Sequence, residues 1–352
     1  MIGPGGTSAV ASVEGADRIP EDRGLARDGV RLLVSEPNGE SHWRFSDLPD
    51  LLHAGDLVVV NESATLAASL PARSRGGEFR VSVSTAYGGD VWLIEPRRGF
   101  ATPGPVPLSP GDRIELGGVP ARYLAQYPGI RRLGFVRAYG DLRAAMSSVG
   151  EPIRYGYLAR SYPLGTYQTT FARCPGSAEM PSAARPFTPQ LVDRLRAAGI
   201  DFAPIVLHCG VSSLEPGDAG PAAAPIFPEP FDVPLSTVEA IRTTRQRGGR
   251  VIALGTTVVR ALESATDGCG LRPARGFTRV YLHAGRPTRS VDGLITGLHE
   301  SSSTHLDLLA SLVGGDRIVR AYRVASEAGY LGHEFGDSHL ILRGPRPPPA
   351  AA

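Results

Sequence analysis

The chain of 352 residues, 42% apolar and 20% charged, is long enough for two domains with buried cores and has the balance of an ordinary globular protein. Its net charge of +2, from 37 basic residues that are all arginine against 35 acids, argues against a chain-wide polyanion surface. Three cysteines without C-x-x-C spacing argue against a disulfide framework or a zinc site, and no apolar run approaches the ~18 residues of a membrane span. With no basic, apolar leader pattern at the start, a cytoplasmic location without membrane contact is expected.

Residues 1–24 mix Gly, Ala, Ser and charge without periodicity and read as a flexible N-terminal arm. Residues 25–66 open an α/β domain. Between 67 and 147 the runs EFRVSVSTA, DVWLIEP, DRIELGG, ARYLAQY and LGFVRAY alternate with Gly and Pro and show almost no helical period, which predicts a small all-β barrel. Its basic pairs Arg97-Arg98 and Arg131-Arg132 read as solvated surface. Because α/β-like sequence flanks this stretch on both sides, it is expected as an insertion into a discontinuous domain of residues 25–66 and 148–343.

In the second part of that domain, Thr188-Pro189 predicts a helix start, with Leu191, Val192, Leu195 and Ala198 on its buried stripe and Gly199 ending it. FAPIVL predicts a buried strand in spite of Pro204. Ser236 with Glu239 has capping-box spacing for the next helix. Then follow the strand RVIAL, the helix in GTTVVRALES, strands in TRVYLHAG and DSHLIL, and helices in THLDLLASLV and RIVRAYRVASEAG. Strands alternating with helices predict a largely parallel α/β sheet or barrel. The tail 344–352, RGPRPPPAAA from Arg343, reads as disordered.

Polar clusters fall at the ends of these strands, where α/β folds bind ligands. His208 follows a buried strand, Glu229 lies between prolines, and His299 precedes Ser303 and Thr304 at a helix start. The Gly255-Thr256-Thr257 turn offers free N–H groups and two hydroxyls at a helix N-terminus, without the glycine fingerprint or lysine of a nucleotide loop. Each has a structural alternative: His208 as a core hydrogen-bond partner, Glu229 as a solvated carboxylate, Thr304 paired with Asp307 as a capping box. Likewise Thr256 or Thr257 is a candidate cap, and Arg260 is placed to pair with Glu263 at i,i+3. Together they supply acid–base groups, an anion receptor and an arginine. His299 and His305 lie six apart, and no metal site is supported.

Six segments in the same order resemble one family, the S-adenosylmethionine:tRNA ribosyltransferase-isomerase of queuosine biosynthesis, over about residues 30–342. GTTVVRALES follows its Gly-Thr-Thr-x-Val-Arg-x-Leu-Glu-Ser; HAGDLVVVN, YQTTFA, VLHCG with Glu229, DGLITGLHESSSTHL and FGDSHLIL match further motifs. The resemblance implies a larger α/β barrel-like domain with a small β-barrel inserted. It implies S-adenosylmethionine as co-substrate, with its ribosyl group transferred to 7-aminomethyl-7-deazaguanine in tRNA and isomerised to epoxyqueuosine, releasing adenine and methionine. It points to His208, His299 and Glu229 for proton handling, and to Asn61, Tyr167, Gln168, Gly255, Thr256, Thr257, Arg260, Glu263, Ser264, Ser303 and Thr304 for substrate binding.

Departures accompany the matches. NESATLAASL keeps Asn61 of Asn-x-Thr-Arg-Val-x-Pro-Ala-Arg-Leu but replaces both arginines by Ala64 and Ser69. Pro186 stands at a family histidine, Phe227-Pro228 at the His-Ser before Glu229, and Gly297 at an asparagine. These losses motivate an alternative: a divergent paralogue acting on a small nucleoside-like acceptor instead of tRNA, or a non-catalytic cofactor-binding protein.

Overall fold

The computed structural model describes residues 10–99, 106–211, 227–300 and 304–344. The chain divides into two compact units: Met1–Asn61, Ser182–Val206 and Phe231–Ala352 in the first, Glu62–Pro181 and Leu207–Pro230 in the second.

The first unit is α/β and carries a nine-stranded mixed sheet. Across it the strands run Ala274–Thr278, Glu229–Val233, Asp201–Leu207, Leu57–Asn61, Val251–Leu254, Gly293–Gly297, Ser338–Leu342, Arg31–Glu36 and Gly39–Arg44. Leu57–Asn61, Val251–Leu254 and Gly293–Gly297 pair in parallel, with Ile252 opposite both Val58 and Gly293. These strands are buried along almost their whole length, which is why they read as continuous apolar runs instead of alternating ones.

The helices Pro189–Ala197, Thr256–Ser264, Thr304–Val313 and Gly315–Glu327 fall where their periodicity places them. Thr188 Oγ1 accepts the Leu191 N–H at 3.1 Å, the expected cap. None of these helices is long and apolar enough to cross a membrane.

Three expectations change. The helix Leu235–Gln246 starts after Pro234 without a side-chain cap, so Ser236 lies inside it and makes no capping box. In TRVYLHAG the strand ends at Thr278, whose hydroxyl accepts the Val280 N–H at 3.1 Å and turns the chain out of the sheet. Residues 13–20 are not a loose arm: Val13, Ala16, Ile19 and Pro20 are buried, and Glu14-Gly15 pairs in parallel with Leu331-Gly332.

The second unit holds a closed, antiparallel six-stranded barrel. Its strands are Ser69–Ser74, Gly77–Gly88, Val91–Arg97, Arg113–Leu116, Val119–Gln126 and Gly134–Ala138, around a core that includes Leu70, Val81, Ile94, Leu116 and Val136. The compact unit is wider than residues 67–147, because it also contains the parallel pair of Ser63–Thr65 with Cys174–Ser177 and the segment after Leu207. Arg97 and Arg132 are not solvated surface. Both reach the fully buried Glu95, Arg97 Nε at 3.1 Å and Arg132 Nη1 at 2.7 Å, while Arg98 and Arg131 are exposed.

Candidate active site

In the first unit Leu254 pairs with Ile295, so the segments that follow these two strands emerge side by side. Gly255 takes φ +95°, a region that L side chains rarely adopt, and its N–H donates to the Ile295 carbonyl at 2.8 Å. Helix Thr256–Ser264 therefore begins under tight backbone control, and no side chain caps it. The expected threonine cap is absent because Gly255, which has no side chain, takes the N-cap position and both threonines lie inside the helix. Asn61, at the end of the neighbouring strand, donates from Nδ2 to Thr257 Oγ1 at 3.4 Å. Uncapped first-turn N–H groups beside two hydroxyls and an amide make an anion- or hydroxyl-binding turn.

Further along the helix, Arg260 Nε reaches the Val280 carbonyl at 3.4 Å. The Glu263 carboxylate accepts the N–H groups of Arg289 at 2.6 Å and Ser290 at 2.7 Å, a brace for that loop. Ser264 Oγ meets the Arg260 carbonyl at 2.7 Å and Thr278 Oγ1 at 2.5 Å. Both residues thus shape the scaffold beneath the turn.

His299 lies just past the strand Gly293–Gly297. Its Nε2 is 2.9 Å from Thr296 Oγ1, and its backbone N–H donates to the Tyr322 hydroxyl at 2.8 Å. His305, on the first turn of Thr304–Val313, stacks on it with ring centroids 4.4 Å apart and planes 6° apart. Burial, together with His305, His333 and His339, holds His299 well below the ordinary histidine range. Burial and the Arg260 charge lower His305 to about 4. Both rings are therefore neutral at pH 7, able to donate or accept a hydrogen bond. Ser303 lies outside the described residues, and Thr304 opens the helix, half-buried.

In the second unit His208 is assembled from three separate segments. Its Nδ1 is 2.7 Å from Ser63 Oγ, which is 2.6 Å from Ser177 Oγ, which accepts the Cys209 N–H at 2.9 Å. Gly176 lies flush against the ring: a Cβ there would fall 2.4 Å from its Cε1 and Nδ1. Burial, reinforced by the Arg143 charge, lowers the His208 pKa.

Glu229 is buried and its Oε1 accepts the Gly210 N–H at 2.7 Å, which fixes the loop after His208; it is not a solvated carboxylate. Gln168 behaves as a strand partner, its amide pairing both the N–H (3.1 Å) and the carbonyl (2.8 Å) of Thr65. Tyr167 is buried, and its carbonyl accepts from Thr65 Oγ1 at 3.0 Å.

Sequence reasoning missed Ser63, Gly176, Ser177 and Tyr322. One signal was available: Ser63 stands at the threonine of the Asn-x-Thr motif, so a hydroxyl persists where the arginine after it does not.

A family model described as queuosine biosynthesis protein matches residues 16–341. Proteins named S-adenosylmethionine:tRNA ribosyltransferase-isomerase are similar over nearly the whole chain. That of Thermus thermophilus is 37% identical over 93% of this chain and 96% of its own length. Those of Acaryochloris marina and Moorella thermoacetica are 35% and 36% identical, each over 90% of this chain and over 88% and 94% of their own. A crystal structure from Thermotoga maritima, described as S-adenosylmethionine tRNA ribosyltransferase, is 26% identical over 92% of this chain and 98% of that one, with a TM-score of 0.49.

Proposed function

This chain belongs to the queuosine biosynthesis protein family, and we propose that it is an S-adenosylmethionine-dependent ribosyltransferase-isomerase acting on 7-aminomethyl-7-deazaguanine in tRNA. The product is epoxyqueuosine, with adenine and methionine released. The observation that carries the reading is the Gly255-Thr256-Thr257 turn, uncapped, tied to Asn61, and next to the segment that carries His299. Such a turn suits the carboxylate or sugar oxygens of S-adenosylmethionine and lacks the lysine that a triphosphate needs.

The sulfonium acidifies the adjacent 5′ carbon, so the reaction needs a base there and a donor that helps adenine leave. His299 is the group assigned to the base, its ring set by Thr296 and stacked on His305. His208 is the second proton-handling group, and Glu229 holds its loop in place. Arg260 is the cation assigned to a substrate anion, with Glu263 and Ser264 supporting the helix that presents it. The small-molecule and non-catalytic alternatives rest on the lost motif residues alone.

The test is product analysis by mass spectrometry. Purified protein is incubated with S-adenosylmethionine, with and without tRNA carrying 7-aminomethyl-7-deazaguanine. Epoxyqueuosine in the digested tRNA, with equimolar adenine and methionine, is the expected result. Unmodified tRNA alongside released adenine would sink the tRNA reading.

A further inference from the structure

Glu95 is wholly buried on the barrel strand Val91–Arg97. A buried carboxylate needs cationic partners to offset its lost hydration. Arg97 Nε lies 3.1 Å from its Oε2 and Arg132 Nη1 2.7 Å from its Oε1, so two guanidiniums share one acid. Each of them has a second arginine as its chain neighbour, Arg98 and Arg131, and both neighbours are exposed. Among the described residues neither of these two side chains makes an ion pair or a hydrogen bond. The stretches 96–111 and 127–133, which carry all four arginines, contain no Asp or Glu. Arg80, opposite Arg97 on the neighbouring strand, adds a fifth guanidinium, turned towards Ser69 and Glu151. Other exposed arginines are matched differently: Arg73, Arg196 and Arg272 lie 3.1, 3.9 and 3.5 Å from Glu115, Asp193 and Asp267.

We propose that this end of the barrel is a docking surface for the sugar–phosphate backbone of the substrate tRNA, with Arg98 and Arg131 as contact residues and Glu95 anchoring Arg97 and Arg132 beside them. The chain as a whole carries a net charge of only +2, so a polyanion has to be held by a local cluster. Guanidinium forks match phosphate oxygens two at a time, and such contacts position a nucleic acid without reading its bases. The backbone that presents Arg131 is fixed in advance. Tyr127 N–H donates to the Leu133 carbonyl at 2.8 Å, closing the loop, and Gln126 Nε2 donates to the Arg131 carbonyl at 2.9 Å. A small acceptor without a phosphodiester backbone would gain nothing from this surface. The inference rests on the tRNA reading of the acceptor and locates where the polyanion is held.

The experiment is a titration of the full-length protein with tRNA carrying 7-aminomethyl-7-deazaguanine, without S-adenosylmethionine, over a series of salt concentrations. The slope of log K against log salt counts the phosphates neutralised. A protein with both Arg98→Gln and Arg131→Gln should show a slope shallower by about 1.4–1.8, at about 0.7–0.9 for each phosphate. Lysine at both positions keeps the charges and should keep the slope. Arg122→Gln with Arg137→Gln removes the same charge from exposed strand positions of the same barrel and should leave the slope as in wild type. An unchanged slope in the first pair overturns the proposal. So does an equal loss in the second pair, because the effect is then one of overall charge.

Turnover separates the docking surface from the function it serves. In the Arg98→Gln, Arg131→Gln protein, KM for tRNA should rise about tenfold, the worth of two exposed charge pairs, while KM for S-adenosylmethionine stays as in wild type. A KM that rises for both substrates would mean that the two arginines act through the fold and not through the nucleic acid, against the proposal. Wild-type protein that binds tRNA with the expected slopes yet forms no epoxyqueuosine would leave the surface standing and refute the proposed reaction. Wild-type protein that fails to bind tRNA at about 50 mM salt would refute both.

Discussion

In the α/β unit, His299 follows a strand inside one contiguous stretch, stacks on His305, and has two further histidines as electrostatic neighbours. In the barrel-containing unit, His208 has no histidine partner of this kind among the described residues; its environment includes hydroxyls and a glycine contributed by residues 63, 176 and 177. The first cluster is set by local chain geometry at strand ends, the second by packing between segments far apart in sequence. Disturbing a backbone conformation should therefore damage the first, while adding volume should damage the second.

The largest effect is expected where the second cluster has no spare room. Gly176→Ala places a methyl 2.4 Å from the His208 ring, so the ring or the strand Cys174–Ser177 must move. Overpacking of this kind costs about 1–3 kcal/mol of stability, and a displacement near 1 Å at a reacting group costs about 100-fold in rate. Gly165→Ala, in the same unit with nothing within 4 Å of the new methyl, is the control. The measurement is kcat for both variants beside their melting curves. Equal activities would show that the His208 cluster tolerates volume and would break the contrast.

Next in size is the backbone of the first cluster. Gly255 at φ +95° and ψ 154° occupies a region almost reserved for glycine, so Gly255→Ala carries about 1–3 kcal/mol of strain. A methyl there has fair room, 3.4 Å from Ala183 Cβ and 3.5 Å from Thr257 Oγ1, so conformation rather than crowding decides the outcome. The expected result is a KM for S-adenosylmethionine raised about tenfold as the turn opens. A KM that stays put while kcat falls would mean that the turn does not hold this substrate.

The same contrast explains what could be read in advance. The GTTVVRALES helix, the strand before it and His299 share local patterns, so periodicity and a glycine between strand and helix were enough to place them. Five of the six barrel strands were legible as short alternating runs, but Ser69–Ser74 was not, because SLPARS carries a proline and polar residues. Its pairing partners, Gly77–Gly88 and Arg113–Leu116, define it as a strand. The hydroxyl pair beside His208 was illegible for a related reason. Nothing local marks Ser63 or Ser177 as buried, and their roles depend on the parallel pairing of Ser63–Thr65 with Cys174–Ser177. Gln168 and Glu263 stand among the expected substrate-binding residues, yet the contacts they make are to backbone groups that no spacing rule reveals.

The smallest effect concerns acid sensitivity, which should belong mainly to the unit where the histidines gather. His339 is wholly buried, its Nε2 2.8 Å from Ser35 Oγ, and burial with the nearby Arg317 charge lowers its pKa to about 3. In the unfolded chain the same ring has a pKa of about 6.5. Above pH 6.5 both states are neutral and the ring's contribution is fully present. As pH falls from 6.5 towards 3, the unfolded state binds a proton that the folded state refuses, so stability is lost. Between pH 7 and 5 this one ring accounts for about 2 kcal/mol. Methionine fills similar volume and cannot titrate. His339→Met leaves Ser35 without its partner, so its stability at pH 7 need not rise. The informative quantity is the slope: chemical denaturation of the variant should lose about 2 kcal/mol less than wild type between pH 7 and 5. Parallel curves for the two proteins would mean that the folded ring is protonated as readily as the unfolded one, and the acid sensitivity of the α/β unit would then have to come from His299 and His305.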